Sequence, residues 1–123
     1  REENAMGEMI QAECECGYHT ELIFVGGGMM NFKTVFYAPA VCTRCGILFV
    51  RNIKAKKYIR CPECRQKAMV YDDVSLRGEK LTEGIIFRWK LEEGTSVLLP
   101  DALYLCPQCK QKRMRFTIAG YWD

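Results

Sequence analysis

The chain has 123 residues, 49% of them apolar, with 18 basic against 15 acidic side chains and a formal charge of +3. That length suits one domain or two very small ones, and the apolar share is that of a globular chain rather than a disordered one. No stretch approaches the roughly 18 apolar residues of a membrane span, so a soluble protein is expected.

Residues 1–13 read as an N-terminal extension, with Asn4-Ala5-Met6 taken as a vector remnant, and residues 14–123 as a single domain. Residues 18–25 are rich in β-branched and aromatic side chains and predict a strand that Gly26-Gly27-Gly28 then breaks. Residues 33–41 form a second extended candidate, of similar length, as in a long hairpin across the glycines. A shorter hairpin is expected from residues 47–51 and 56–60 around Asn52-Ile53, and residues 67–71 make another extended piece. The polar residues 72–84 read as a loop. Ile85, Phe87, Trp89 and Leu91 then alternate with Arg88 and Lys90, and Met114, Phe116 and Ile118 alternate with Arg113, Arg115 and Thr117. A period of two marks strands with one buried face. Residues 101–105 are the place for a turn of helix; no segment shows a sustained helical period.

Between these elements lie eight cysteines in four tight pairs: Cys14/Cys16, Cys42/Cys45, Cys61/Cys64 and Cys106/Cys109. Two thiolates on one tight turn can both point at one ion, and the C-x2-C-x15-C-x2-C run from Cys42 to Cys64 is a zinc spacing. Eight thiolates make two closed four-cysteine sites, the saturated kind used for structure. The cysteines also inflate the apolar count, so the core proper is small and metal is expected to share in folding. Structural zinc in finger peptides supplies roughly 10–16 kcal/mol, comparable to a whole domain's stability. A secreted disulfide framework is the rival. Against it stand the closeness of each pair, the repeated local pattern, and Gly17 and Gly46 after the second cysteine, where a tight turn needs a positive φ. A reducing, cytoplasmic-type compartment follows. Two groupings lead, and a crossed arrangement is the third possibility. The 15-residue spacing favours Cys42, Cys45, Cys61 and Cys64 as one site, with Cys14, Cys16, Cys106 and Cys109 tying the ends together. Tandem sites, Cys14/Cys16 with Cys42/Cys45 and Cys61/Cys64 with Cys106/Cys109, avoid closing a very long loop.

Cys42-Thr43-Arg44-Cys45-Gly46 and Cys61-Pro62-Glu63-Cys64, repeated in Cys106-Pro107-Gln108-Cys109, resemble the knuckles of the zinc-ribbon, or rubredoxin-like, group of small β folds. There, two knuckles carried on hairpins clamp one metal. The resemblance implies a small, mostly-β architecture with little helix, and makes the matching cysteines ligands. It covers well under half of the chain and specifies a metal site rather than a function. Cys14-Glu15-Cys16 is one residue short of the usual knuckle, and Arg65 and Lys110 stand where a glycine often follows the second cysteine. Two zinc ions are expected; iron, which the same four-sulfur set suits, would instead make a rubredoxin-like electron carrier. His19, the only histidine, is a spare ligand at most and more naturally a surface residue.

Charge is unevenly spread. Residues 44–67 hold eight basic side chains (Arg44, Arg51, Lys54, Lys56, Lys57, Arg60, Arg65, Lys67) and one acid, Glu63. Lys110, Lys112, Arg113 and Arg115 add to this, whereas residues 1–21 hold six acids and one arginine. A basic band can meet phosphates, with Tyr58 and Phe49 near enough to stack on unpaired bases. A lysine-rich hairpin tip is also ordinary edge protection. Residues 26–32 fail as a phosphate loop, because Phe32 precedes Lys33 where glycine is required. Their methionines instead suit an adaptable protein contact. Trp89 and Trp122 read as packing residues, and Asp72 and Asp73 as solvated acids. No nucleophile–base pair or spaced acid pair points to catalysis. The expectation is a non-enzymatic two-zinc interaction module for a protein partner; nucleic-acid binding through the basic band is the alternative.

Overall fold

A computed structural model of the chain describes residues 7–26, 37–53, 59–90 and 96–122. Within them nine strands form two antiparallel sheets. The first is ordered β2-β1-β9-β8-β7, from β1 (Gly7–Cys14), β2 (Ile23–Val25), β7 (Arg77–Lys90), β8 (Ser96–Leu105) and β9 (Lys112–Trp122). The second is ordered β4-β3-β6-β5, from β3 (Tyr37–Cys42), β4 (Ile47–Asn52), β5 (Ile59–Arg60) and β6 (Lys67–Val70). The mostly-β expectation holds, and the only helix among the described residues is one 3-10 turn, Val74–Leu76.

Alternation explains the core. Ala12 lies opposite Phe116 and Cys14 opposite Met114, so one face of β1 and β9 carries Ile10, Ala12, Met114 and Phe116 inward, all fully buried. Tyr104, opposite Met114, extends that face onto β8. Tyr71, Tyr104 and Phe116 meet edge-on or tilted, with ring centroids 5.2–6.1 Å apart, the geometry that aromatic quadrupoles favour. The buried phenols are satisfied: Tyr71 donates to the Leu105 carbonyl and Tyr104 to the Pro100 carbonyl, each at 2.7 Å. The second sheet presents Val41, Leu48, Val50 and Met69 to this core. Its other face carries a smaller cluster of Ala40, Ile59 and Ala68 with Phe49 and Val70.

Several expectations are corrected. The extension placed at residues 1–13 runs into the fold, because Gly7–Cys14 is a strand of the larger sheet. The strand expected over residues 18–25 shrinks to Ile23–Val25. Its first half is taken up by the knuckle, with the Thr20 amide bonded to the Ala12 carbonyl and the Ala12 amide to Thr20 Oγ1. β2 pairs with β1, and among the described residues the expected long hairpin across the glycines shows one bridge, Gly26 with Tyr37. The segments at 47–51 and 56–60 do not pair with each other: β4 pairs with β3, and β5 with β6. The reason is that each two-residue-spaced knuckle is itself a hairpin turn, so its flanking strands become partners. The loop expected over 72–84 is the 3-10 turn followed by most of β7, a 14-residue strand. β7 lies at the sheet edge, where Glu79 to Ile85 are all exposed and no apolar alternation is required. Residues 101–105 are strand, not helix. Phe87 is buried but Ile85 is 42% exposed, because the register of β7 against β8 slips between them. Ile118 is likewise 42% exposed. Leu91 and residues 27–36 and 54–58 lie outside the described residues, as does the packing of the Trp89 and Trp122 side chains.

Candidate metal centres

Each pair of cysteines is built the same way. The amide of the residue after the second cysteine closes the turn onto the carbonyl of the first: Gly17 to Cys14 at 3.0 Å, and Gly46 to Cys42, Arg65 to Cys61 and Lys110 to Cys106 at 2.9 Å. That closing residue has positive φ in all four, 103° and 70° at Gly17 and Gly46, and 64° and 63° at Arg65 and Lys110. Arginine and lysine thus take a left-handed conformation in which only glycine is unstrained. Amides aimed at sulfur follow from the same turn, from Cys45 to Cys42 Sγ at 3.4 Å, Glu63 to Cys61 Sγ at 3.3 Å and Cys109 to Cys106 Sγ at 3.5 Å.

The strands then bring the turns together in twos. Pairing of β1 with β9 sets Cys14 and Cys16 against Cys106 and Cys109; pairing of β3 with β4 and β6 sets Cys42 and Cys45 against Cys61 and Cys64. Within each group the four sulfurs lie within 4.8 Å of one another. Cys14–Cys109 and Cys16–Cys106 are 3.7 Å apart, and Cys42–Cys64 and Cys45–Cys61 3.8 Å. A tetrahedron of sulfurs around an ion at about 2.3 Å has edges of about 3.8 Å. These separations match that edge and are nearly twice the length of about 2.0 Å for a sulfur–sulfur bond; all eight cysteines are free thiols. Of the groupings open from the sequence, the structure adopts the one that joins Cys14 and Cys16 with Cys106 and Cys109, and Cys42 and Cys45 with Cys61 and Cys64.

The thiols are set up to exchange protons for an ion. Burial pushes Cys14 up to about 12, whereas the Tyr18 amide draws Cys16 down to about 7. In the other group, hydrogen bonding with Cys64 pushes Cys45 up to about 12. Burial would raise Cys61 as well, but the amides of Cys64 and Glu63 and the thiols around it outweigh that and bring it to about 7. Each cluster thus pairs a thiol drawn down with one pushed up, and a metal would displace the protons that its ligands carry. Gln108 adds a side-chain amide 3.7 Å from Cys16 Sγ.

The remaining candidates separate. His19 is exposed, its Nδ1 3.2 Å from the Gly17 carbonyl, and lies outside the sulfur group. Asp73 caps the 3-10 turn through Ser75, at 2.9 Å from its amide and 2.8 Å from its hydroxyl. The basic band is divided by the second sheet. Arg51 is opposite Ala38 and shares the Ala40–Phe49 face, its guanidinium 5.1 Å from the Phe49 ring centre. Arg60 and Lys67 face each other on the opposite side, because their neighbours Ile59 and Ala68 belong to the Ala40–Val70 face. Arg44 and Arg65 are exposed at the tips of separate knuckles, and Lys54, Lys56, Lys57 and Tyr58 fall outside the described residues. Sequence reasoning missed a groove of about 460 Å³ between β2 and β4, lined by Leu22, Ile23, Phe24, Leu48 and Val50 among others. Leu22 and Phe24 on its rim are each 46% exposed. No periodicity marks it, because its walls come from the edges of different sheets.

Two four-cysteine groups, each with its sulfurs close enough together to hold a metal ion and carried on knuckles in a small β fold, are arranged as in zinc-ribbon, rubredoxin-like folds. Tetrahedral sulfur takes zinc or iron alike. No protein-family model, curated protein or solved structure matches this chain. No helix among the described residues is long and apolar enough to cross a membrane.

Proposed function

We propose that this chain is a non-enzymatic interaction module held together by two structural zinc ions, and that it works by docking a protein partner in a reducing, cytoplasmic-type compartment. The observation that carries the reading is the pair of four-sulfur groups, each with its sulfurs within 4.8 Å of one another and two of the separations at 3.7–3.8 Å. In each, the protein supplies all four ligands, so a bound ion keeps no open position for substrate or water. Cys14, Cys16, Cys106 and Cys109 would hold one zinc, and Cys42, Cys45, Cys61 and Cys64 the other. Zinc is preferred to iron because an ion that only fixes geometry needs no redox chemistry.

A protein partner is favoured over nucleic acid by where side chains end up. The apolar groove between β2 and β4, with Leu22 and Phe24 on its rim, offers the kind of surface that interfaces bury. The described members of the basic band are spread over both faces of one sheet and two knuckle tips, so they make no continuous track for a phosphate backbone. Two measurements test this. A mobility shift with mixed DNA and RNA at low salt should show no complex; a complex that weakens steeply with salt would transfer the function to the basic residues. Elemental analysis should find zinc; a red, iron-loaded protein would support electron transfer instead.

A further inference from the structure

We propose that Lys110, together with the seat of Gly46 on Pro107, couples the two four-cysteine sites, so that metal in either raises the affinity of the other. The proposal rests on the reading of both clusters as metal sites. Cys106 and Cys109 belong to one site and Cys42 and Cys45 to the other, yet their knuckles touch. Lys110, the residue directly after Cys109, reaches across with its Nζ to donate to the carbonyl of Thr43, which lies between Cys42 and Cys45. Gly46, directly after Cys45, sits so close to the buried Pro107 that a Cβ there would be 3.0 Å from the Pro107 carbonyl oxygen. A further tie comes from the other knuckle of the second site. Tyr71, just beyond β6, donates to the carbonyl of Leu105, the residue immediately before Cys106.

Each site needs a turn whose far side is held by the other site. An ion that fixes the Cys42–Cys45 turn fixes the Thr43 carbonyl in reach of Lys110, and an ion that fixes the Cys106–Cys109 turn holds Lys110 in place to meet it. Coupling of this kind is reciprocal by thermodynamic necessity. The backbone of Lys110 points the same way. Its φ of 63° is the conformation that the chain gives to glycine at residues 17 and 46. A lysine kept in a strained position suggests that its side chain offsets the strain, and here the side chain spans to the neighbouring knuckle.

The test uses the full chain, metal-free under reducing conditions, with zinc added to one equivalent against a competing chelator. Native mass spectrometry then counts chains with no, one and two zinc ions. A coupling of roughly tenfold, inside the 5–150-fold range usual for linked sites, should suppress the one-zinc form in the natural protein. Lys110→Met, which keeps all eight thiols and the aliphatic stem, should let the one-zinc form accumulate. Lys110→Gly should do the same while relieving the backbone, so a poorly folding methionine variant leaves a second readout. The same one-zinc fraction in the natural chain and in the variants would overturn the coupling and leave the metal sites standing. A chain that takes up no zinc at all would overturn both.

Discussion

Replacing Tyr71 with phenylalanine isolates one hydrogen bond at the joint between the core and a metal knuckle. The Tyr71 side chain is wholly buried, its ring 5.2 Å from Phe116 and 6.1 Å from Tyr104, and its hydroxyl donates at 2.7 Å to the Leu105 carbonyl. Phenylalanine keeps the ring contacts and removes only the donor, leaving a part-buried carbonyl without its partner. Such a loss costs about 1–2 kcal/mol, whereas truncation to alanine would also open a cavity and cost about 3–5 kcal/mol. For a chain of this size the phenylalanine variant should melt about 3–8 °C lower. Urea denaturation of the zinc-loaded protein is the assay, read as a fall in midpoint at unchanged slope. If Tyr71→Phe and the natural protein share a midpoint while Tyr71→Ala falls, the bond to Leu105 contributes nothing and ring packing alone holds the joint.

Glu8 gives a pH signature: burial raises its carboxyl from 4.5 to about 7, and its Oε2 has no hydrogen-bond partner. The folded state therefore binds more protons than the unfolded chain between those values, so this residue's contribution to stability falls as pH climbs from about 4.5 to about 7. Glu8→Gln should stabilise the protein above pH 7 by about 1 kcal/mol, discounted because the side chain is only half buried. It should make little difference near pH 4; melting curves at the two pH values decide it. Two glycine substitutions should differ in kind. Gly46→Ala forces a side chain into a backbone with φ of 70° and against the Pro107 carbonyl, and should cost about 1–3 kcal/mol. Gly120→Ala meets only the flexible end of Met9, 2.8 Å away, and should fall within about 0.5 kcal/mol of the natural protein in the same denaturation assay.

The grouping of the cysteines was more legible in the sequence than the path of the chain. Spacing singled out the eight cysteines that the structure gathers into two groups, because a knuckle is a local device whose sulfurs sit two or three residues apart. Alternation marked the buried faces of β7 and β9 at Phe87, Met114 and Phe116, where one side of a strand meets the core. It was silent on the exposed stretch of β7, whose residues need no pattern, and on β1, where Met9 beside the buried Ile10 breaks the alternation that Ile10 and Ala12 would otherwise show. Strand partners were misread around residues 47–60 because hairpin turns were sought at Asn52-Ile53, when the knuckles themselves turn the chain. The division of the basic residues between two faces is a consequence of register, which depends on pairings far apart in sequence. Lys110 did leave a trace, as a lysine standing where the motif usually has glycine; only its position beside Thr43 shows what it reaches.

The most direct test of the account is the metal content of the purified protein, kept reduced and dialysed against metal-free buffer. The account predicts two zinc ions per chain. Protein that carries no metal, yet melts no lower than a zinc-supplemented sample, would contradict it.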